Sequence, residues 1–476
     1  MRLVPGKNGL MTRLVSDAVH AERSSYRAVL AVVVGSTFLS MLGYAGPLGN
    51  VVTLAEALGS SQAGATWMLA SMSVGLAITL LAVGVTADRI GHRRVFGRGA
   101  ALFAVASAVC ALAQSTPVFV SARIVAGAGA AGMIATGLGL VAAVSEHPGH
   151  RATTATGWSA AMGAGIASGP LVTGLLDLLD AWRGFYGLLA FGGLAVWAGT
   201  RRLVPQARPP GRTVPSRRFD PVGSTLLTGL LAVVVTALVE VRAGEPATVL
   251  ALAAVAAVLL GALVVSQRVG TARLVDPRLF THRPFLGATV AAFGTGIGVI
   301  ATMSFACTFL VDGLGMSTLQ AGALLAAWSG TSAGAALLFA RHAVKVSGTV
   351  QLVTGLAGVA LGLALLTGIG ADSGGGRLLP GLTVAGLASG LLNTGLARQA
   401  VAGVPVGDIA MGTGANNTAR YLGSSIGVSA ASIIAAGDLV RGWNQVARLG
   451  AAASLACAVL VALLSDRART PSTAED

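Results

Sequence analysis

The residues best placed to do chemistry form a short polar segment between two apolar runs of the chain. Asp88 lies among several arginines, and a carboxylate forms strong, charge-assisted hydrogen bonds with such groups and with helix ends. Glycines allow the sharp turn that a short connection between two helices needs. The segment reads Gly84-Val-Thr-Ala-Asp88-Arg89-Ile-Gly91-His-Arg93-Arg94. It predicts an electrostatic clasp between helix ends, with an ordinary positively charged loop as the alternative.

Two further arginines, Arg123 and Arg420, lie inside long apolar runs. A charged side chain at the centre of a bilayer costs about 2.5–3.5 kcal/mol on insertion scales, so such a residue usually has a function. Arg123 is about six residues, or roughly 9 Å, from the predicted outer end of its run. Its guanidinium group could therefore extend to the membrane interface instead, and both alternatives remain open.

Three carboxylates could carry protons, namely Glu56, Glu240 and Asp312, and all lie near the predicted outer ends of apolar runs. A carboxyl group that is buried against helices holds its proton more tightly than one in water. Asp312 is the preferred carrier because it ends the helix that opens the second half of the chain. Each of the three could equally be a solvated loop acid.

Candidates for a binding cavity are polar or soft side chains within the apolar runs. Trp328 lies near the middle of its run, where an interfacial belt of aromatic residues does not explain it. It could be a platform for a ligand or a packed or lipid-facing side chain. The candidates are Asn50, Met72, Trp328, Asn393, Asn416, Asn417 and Arg420.

Enzymatic chemistry is not indicated by the sequence. The cysteines Cys110, Cys307 and Cys457 are far apart in apolar runs, without metal-binding spacing. The two lysines, Lys7 and Lys345, lie outside any GxxxxGK phosphate-binding loop, which argues against ATP-driven transport. We therefore expect no enzymatic activity, no cofactor, no metal and no ATP.

Composition indicates which elements position these residues. Of 476 residues, 54% are hydrophobic and 11% are charged, and the mean hydropathy is +0.77, whereas soluble proteins are about 25% charged. The formal net charge of +14 comes from arginines in short clusters between apolar runs. That pattern is typical of membrane topology rather than of nucleic-acid binding. The chain is predicted to be an all-α membrane protein that binds no nucleic acid.

About fourteen runs are long enough to cross the hydrocarbon core as helices. With the N-terminus in the cytoplasm, 25 of the 32 Lys and Arg residues fall on the cytoplasmic side, as the positive-inside rule requires. Both termini are therefore predicted to be cytoplasmic. The predicted spans are 28–49, 64–86, 96–114, 117–143, 154–176, 184–201, 221–240, 247–266, 284–311, 317–340, 349–370, 378–397, 410–436 and 446–465.

A short internal repeat divides these spans into two halves. The sequence LGSSQAG at residues 58–64 has a counterpart in LGMSTLQAG at residues 314–322, and an acid precedes each copy. Parallel repeats of this kind are typical of transporters with substrate between the halves, although chance similarity in Gly-rich sequence is the alternative. The predicted units are a cytoplasmic segment 1–27, a six-helix bundle 28–201, a cytoplasmic linker 202–220, a two-helix insert 221–266, a six-helix bundle 284–465 and a cytoplasmic tail 466–476.

The segment from Gly84 to Arg94 resembles motif A of the major facilitator superfamily, G-x-x-x-D-R-x-G-R-R-R, which holds a cytoplasmic gate. Arg123-Ile-Val-Ala-Gly127 resembles motif B. Gly165-Ile-Ala-Ser-Gly169-Pro170-Leu-Val-Thr-Gly174 resembles motif C of the drug–proton antiporters, whose glycines are expected to pack against the opposite half and whose proline lets the helix bend. The resemblance implies the major facilitator fold, with two six-helix bundles in parallel pseudo-repeat and a two-helix central insert.

The segment Gly412-Thr-Gly414-Ala-Asn416-Asn417-Thr-Ala-Arg420-Tyr421 is similar to the thirteenth helix of the fourteen-helix drug:proton antiporter-2 branch. That resemblance implies a monomeric, multi-pass protein of the cell (inner) membrane that exchanges small molecules for protons. One position departs from the pattern, because Gly43 stands where the branch usually carries an aspartate. Proton coupling is therefore implied by the resemblance alone.

Two functions are retained from these observations. The first is a secondary active transporter that exports amphipathic small organic molecules or drugs in exchange for protons by alternating access. The second is a facilitator or exporter of neutral or anionic metabolites without proton coupling, which suits the missing aspartate and the arginines within the membrane. A receptor or assembly protein without transport is a weaker alternative.

Overall fold

Long helices dominate the structure, a computed structural model that describes residues 7–144, 148–205, 220–243, 246–269, 282–339, 346–400, 404, 409–435 and 437–466. The helices are α1 (Lys7–Ala45), α2 (Val51–Ala57), α3 (Gln62–Ile90), α4 (His92–Leu112), α5 (Thr116–Ala142), α6 (Pro148–Asp177), α7 (Trp182–Leu203), α8 (Pro221–Ala243), α9 (Pro246–Val269), α10 (Arg283–Gly294), α11 (Ala301–Thr308), α12 (Thr318–Phe339), α13 (Gly348–Leu365), α14 (Leu379–Gln399), α15 (Ile409–Ile434) and α16 (Leu439–Asp466).

The first helix differs most from its predicted span of 28–49. It already begins at Lys7 and ends at Ala45, where a short 3₁₀ turn, Gly46–Gly49, leads into α2. Pro47 lies in that turn, and a proline cannot donate the backbone hydrogen bond that would continue an α-helix. The break places the polar groups of residues 46–53 at the end of the bundle.

Twelve helical spans in the described part of the chain are long and apolar enough to cross a membrane. The two remaining long helices, α7 and α15, have 22 and 26 residues. Polar residues lower their hydropathy, since α7 carries arginines at both ends and α15 contains Asn416, Asn417 and Arg420. The predicted count of fourteen spans is therefore not confirmed.

The helices form two groups, each with its own apolar core. Helices α1–α7 provide most of the first core, which also includes Val235 of α8, Ala397 of α14 and Tyr421 of α15, and helices α10–α16 provide the second. The groups meet where α3 packs along α15 and where α6 packs along α12 and α14. At one of these crossings a Cβ on Gly414 would lie only 2.6 Å from the Leu80 carbonyl oxygen, so the backbones of α3 and α15 are nearly in contact.

The two copies of the repeat form equivalent turns. Gly59 and Gly315 have φ angles of 57° and 67°, a conformation that glycine adopts without steric cost. After each glycine a serine caps the next helix, because Ser61 Oγ accepts from Gly64 N and Ser317 Oγ accepts from Gln320 N. We call the end of the bundle that carries these turns the Gly59 end and the opposite end the Asp88 end.

The predicted insert forms a hairpin of two helices at the junction of the groups. Helix α8 packs against both α3 and α15, while α9 contacts α8 and has no buried residues. Trp67 Nε1 donates to Glu240 Oε1 at 3.1 Å, and the Ser429 hydroxyl donates to the Leu238 carbonyl. Helix α8 is thus bonded to one helix of each group near the Gly59 end.

Candidate functional site

A cavity lies between the two helix groups and is lined by residues of both. The first group provides apolar and aromatic side chains, together with one glycine. The second group provides five serine and threonine hydroxyls, an amide, an arginine and further apolar groups. The lining residues are Met41, Tyr44, Leu48, Met162, Gly163, Ile166 and Pro170 from the first group, and Thr295, Val299, Ile300, Met303, Ser304, Leu325, Trp328, Ser329, Ser332, Ser389, Asn393, Arg420 and Tyr421 from the second.

Among the residues that line the cavity, Arg420 carries a charge, and the residue is only 3% exposed. One Nη donates to Asn393 Oδ1 at 3.0 Å and the other contacts the thioether of Met162 at 3.1 Å, across the junction of the groups. A thioether is a weak acceptor. The Nε–H finds no acceptor among the described protein atoms, and the Ser389 hydroxyl on the same cavity is likewise unpaired there.

Aromatic rings frame the cavity from both groups. Tyr44 of α1 and Tyr421 of α15 approach with their ring centroids 6.1 Å apart, at an interplanar angle of 59°. Trp328 lies at the middle of α12 and is buried. Tilted aromatic pairs of this kind provide rigid, apolar contact area with a polar tip, which suits the recognition of flat organic molecules.

A π-helical segment, Thr295–Ile300, forms part of the wall. It connects α10 with α11, and a Cβ on Gly296 would collide with the Arg420 backbone. Single π-helical turns inside α-helices often occur at functional sites because they redirect neighbouring side chains. The segment brings Thr295, Val299 and Ile300 to the cavity together.

Three of the seven predicted cavity residues line this space, namely Trp328, Asn393 and Arg420. The other four lie elsewhere. Met72 is in the core of the first group, where its carbonyl oxygen would lie 2.4 Å from a Cβ on Gly127 of α5. Asn50 bonds to Asp177 at the Gly59 end, and Asn416 and Asn417 are buried in the first turns of α15.

The predicted clasp joins the two groups at the Asp88 end. Asp88 Oδ2 accepts from the backbone N–H of Met411 in the first turn of α15 at 2.7 Å, and Oδ1 lies 3.2 Å from His92 Nε2. The Asp88 side chain is only 5% exposed. An anion at a helix N-terminus is stabilised by the unpaired N–H groups and the helix dipole. The carboxylate therefore connects α3 of the first group to α15 of the second.

The other residues of this segment lie around the turn between α3 and α4. Gly91 makes the turn with a φ angle of 99°, and Gly84 is buried in the last turns of α3. Arg93 donates to the Arg201 carbonyl at 2.8 Å, so it neutralises the C-terminal end of α7. Arg89 lies one residue after Asp88 and is half-buried, while Arg94 is exposed. The segment holds helix ends and does not line the cavity.

Arg123 is buried within the first group rather than extended to an interface. It is 2% exposed, and it donates to Ser71 Oγ and to the carbonyl oxygen of Gly43, both at 3.1 Å. Gly43 thus provides a backbone acceptor at the position where the resemblance expects an aspartate. A Cβ there would point at Leu189, 3.1 Å away, and not toward the arginine.

The glycines of the predicted motif C pack in a different direction from the expected one. A Cβ on Gly165 would lie 2.5 Å from the Phe38 carbonyl oxygen, and one on Gly169 would touch Ala45, so both pack against α1 of their own group. The expectation that they pack against the opposite half is wrong, because the side of α6 that carries them faces α1. Pro170 does face the second group through Gly322, and Gly174 has no neighbour within 4 Å of a Cβ.

The predicted carboxylates differ in their surroundings. Asp312 and Glu56 are exposed, whereas Glu240 is half-buried and bonded to Trp67. Sequence reasoning missed Asp177, which lies one residue beyond its predicted span. Its two oxygens accept from Asn50 Nδ2 at 3.1 Å and from Thr53 Oγ1 at 2.9 Å.

Sequence reasoning also missed Tyr44, Met162, Tyr421 and Ser389 as cavity residues. A signal existed only for Tyr421, which follows Arg420 directly. The described residues contain no group of three or more His, Cys, Asp or Glu side chains that could hold a metal ion.

Comparisons with known proteins agree with this architecture. Residues 33–428 match the Major Facilitator Superfamily. The chain is 30% identical to a probable actinorhodin transporter of Streptomyces coelicolor, over 84% of this chain and 71% of that protein. It is 28% identical to the drug efflux pump JefA of Mycobacterium tuberculosis, over 81% and 74% of the two chains. The proton:xylose symporter XylE has a similar fold, with a TM-score of 0.67 at 16% identity over 94% of this chain and 96% of that one.

Proposed function

Because the chain belongs to the major facilitator superfamily and is a multi-pass membrane transporter, we propose that it exports amphipathic small organic molecules in exchange for protons. The members of this family are transporters and not enzymes. The observation that carries the proposal is the cavity between the two helix groups, whose lining combines apolar and aromatic side chains with hydroxyls, an amide and a guanidinium group. Binding sites for small organic molecules are mostly apolar, with a few polar groups that fix the orientation of the ligand. The mixed apolar and polar walls of this cavity suit an amphipathic molecule.

Alternating access is the mechanism that this arrangement supports. In the structure the Asp88 end is closed, because Asp88 bonds to the N-terminus of α15 and Gly414 packs against the Leu80 backbone. Breaking these contacts would let the two groups rock apart at that end and expose the cavity to the side from which substrate enters. We propose that Asp88 and the arginines around it form the cytoplasmic gate.

We further propose fourteen membrane crossings in the cell (inner) membrane, with both termini in the cytoplasm, as in the drug:proton antiporter-2 branch. Helices α7 and α15 belong to this count since they pack within the two groups alongside apolar spans. Single cysteines test it in a protein that lacks the three native ones. Ser61→Cys and Gly375→Cys should react with an impermeant maleimide on intact cells, and Pro210→Cys should react only after permeabilisation. Labelling of Pro210→Cys in intact cells would show that α7 does not cross.

For the proton, we propose Asp177 as the carrier, ahead of Asp312, Glu56 and Glu240. Asp312 and Glu56 are exposed, as solvated carboxylates are, whereas Asp177 is half-buried and bonded to the turn that follows α1. These bonds would change if α6 moved relative to α1, so the surroundings of the carboxylate would differ between the two states of the transport cycle.

Proton-coupled export and the role of Asp177 as the carrier are tested together by transport by purified protein in liposomes with an imposed pH gradient. The wild type should accumulate an amphipathic dye, and Asp177→Asn should lower dye-dependent proton flux about tenfold or more while exchange of labelled dye continues, since an amide cannot carry the proton. Asp180→Asn, an exposed acid in the next turn, is the matched control. Full pH-driven transport by Asp177→Asn would exclude it as the carrier. A wild-type protein that moves dye but ignores the pH gradient would favour a facilitator.

A further inference from the structure

We propose that the transported molecule is an organic anion with a flat apolar body, and that Arg420 binds its anionic group with Ser389 as a second donor. The inference rests on the proposed export function and names the substrate class of the same cavity.

Arg420 is a buried cation with too few acceptors. A guanidinium group has five N–H donors, and the described residues provide it with one amide oxygen and one thioether. Its Nε–H has no acceptor among them, and no carboxylate among them forms an ion pair with it. Buried polar groups in proteins nearly always have partners, and a planar guanidinium fork matches a carboxylate. The unused donors on the cavity wall therefore fit an anionic group of a ligand.

The remaining lining supports an anion over a cation. Arg420 is the ionised residue among those that line the cavity, and the lining contains no aspartate or glutamate. A cationic ligand would meet a like charge in a site of low polarity, where such repulsion is large. Ser389 lines the same wall with an unpaired hydroxyl, which can donate to a second oxygen of the anion.

The division of the walls indicates how the molecule lies. Met41, Met162 and Ile166 form the apolar wall from the first group, while the charge and most hydroxyls come from the second. Methionine side chains adapt to varied apolar shapes, and Trp328 and the two tyrosines provide flat surfaces. An anionic head would therefore face α15 and α14, and the aromatic body would face α1 and α6.

A matched pair of dyes tests this assignment. Fluorescein methyl ester is an anion at mildly alkaline pH, and the methyl ester of unsubstituted rhodamine is a cation with the same tricyclic skeleton. Binding to the purified full-length protein in nanodiscs is followed by fluorescence polarisation. The wild type should bind the anion more tightly than the cation, and Arg420→Gln should weaken binding of the anion about tenfold or more.

Further variants distinguish recognition from a structural role of the arginine. Arg420→Gln should bind the cationic dye as well as the wild type or better, since a like charge is removed from an intact cavity. Arg420→Lys should recover part of the anion affinity, and Ser389→Ala should lose about threefold. Arg377→Gln removes an exposed arginine outside the cavity and should change neither affinity.

Two outcomes would overturn the inference. One is a wild-type protein that does not bind fluorescein methyl ester more tightly than the rhodamine ester. The other is an equal loss of both dyes in Arg420→Gln, which would assign the arginine to holding the helices together. Export of the cationic dye by the wild type in liposomes would leave the proposed export function standing in either case, so the two failures are distinguishable.

Discussion

Replacement of Asp88 with asparagine should lower the transport rate about tenfold or more while the protein remains folded and inserted. The carboxylate bonds to the N-terminus of α15 across the junction of the two groups, and it contacts His92. An anion in a partly buried position at a helix N-terminus contributes up to about 2 kcal/mol, and each 1.4 kcal/mol changes an equilibrium about tenfold. Asparagine keeps the shape but loses the charge, so the Asp88 end would stay closed for a smaller fraction of the cycle.

The control for this variant is Asp438→Asn, which makes the same change at another helix N-terminus. Asp438 accepts from the backbone N–H groups of Val440 and Arg441 in the first turn of α16, both at 2.9 Å, and these contacts lie within one helix group. It should transport at close to the wild-type rate. Dye transport in liposomes at equal protein content gives the comparison, and a well-folded Asp88→Asn protein with wild-type transport would contradict the gating role.

An anionic substrate would also explain why the cavity contains no described carboxylate. One elementary charge that crosses a membrane with a potential of 100 mV gains or loses about 2.3 kcal/mol. In a cell whose interior is negative, export of an organic anion is therefore favoured by the potential itself. A cation exporter must overcome the same energy, and it benefits most from a proton-binding acid beside its substrate.

The family, its helical fold and the division into two halves were predictable from the sequence, and the comparisons confirm the family and the fold. The physical reason is that spans, clustered arginines and a repeated turn are local features. The turns at Gly59 and Gly315 need a glycine wherever they occur, and the two copies could be aligned before any contact was known.

The contacts between the halves were harder to predict because they depend on which face each helix turns inward. The glycines at 165 and 169 pack on α1 and not on the opposite half, a difference of helix rotation that a span with little amphipathic pattern does not reveal. The same uncertainty about helix rotation affected Met72, which was predicted to line the cavity and instead lies in the core of the first group. Trp328, Asn393 and Arg420, which were predicted by their residue types, do line the cavity.

Asp177 and the unpaired donors belong to a second class of features that sequence reasoning did not reach. The contacts of Asp177 depend on the break after Ala45, because this break places Asn50 and Thr53 beside the end of α6. The shortage of acceptors around Arg420 is a property of its whole environment. Span boundaries that are uncertain by a few residues decide whether such a group is assigned to the membrane or to a loop.

A reversible cross-link between the two helix groups is the second expectation with a large effect. Gly163 of α6 and Ala333 of α12 face each other beside the cavity, and a Cβ on Gly163 would lie 3.6 Å from the Ala333 Cα. Disulfides join residues whose Cα atoms are about 4.4–6.8 Å apart, and this approach of a Cβ to the Ala333 Cα keeps the two backbones within that reach. The pair Gly163→Cys and Ala333→Cys should therefore cross-link on oxidation and hold α6 to α12. Each single cysteine, oxidised in the same way, is the control.

Dye transport by this double-cysteine protein in liposomes, before oxidation, after oxidation and after reduction, tests alternating access around the cavity most directly. If the two helix groups must move apart to expose the cavity, oxidation should lower the rate at least about tenfold, and reduction of the same sample should restore it. Transport by the fully cross-linked protein at the rate of the reduced protein would contradict the account, because substrate would then cross without separation of α6 from α12.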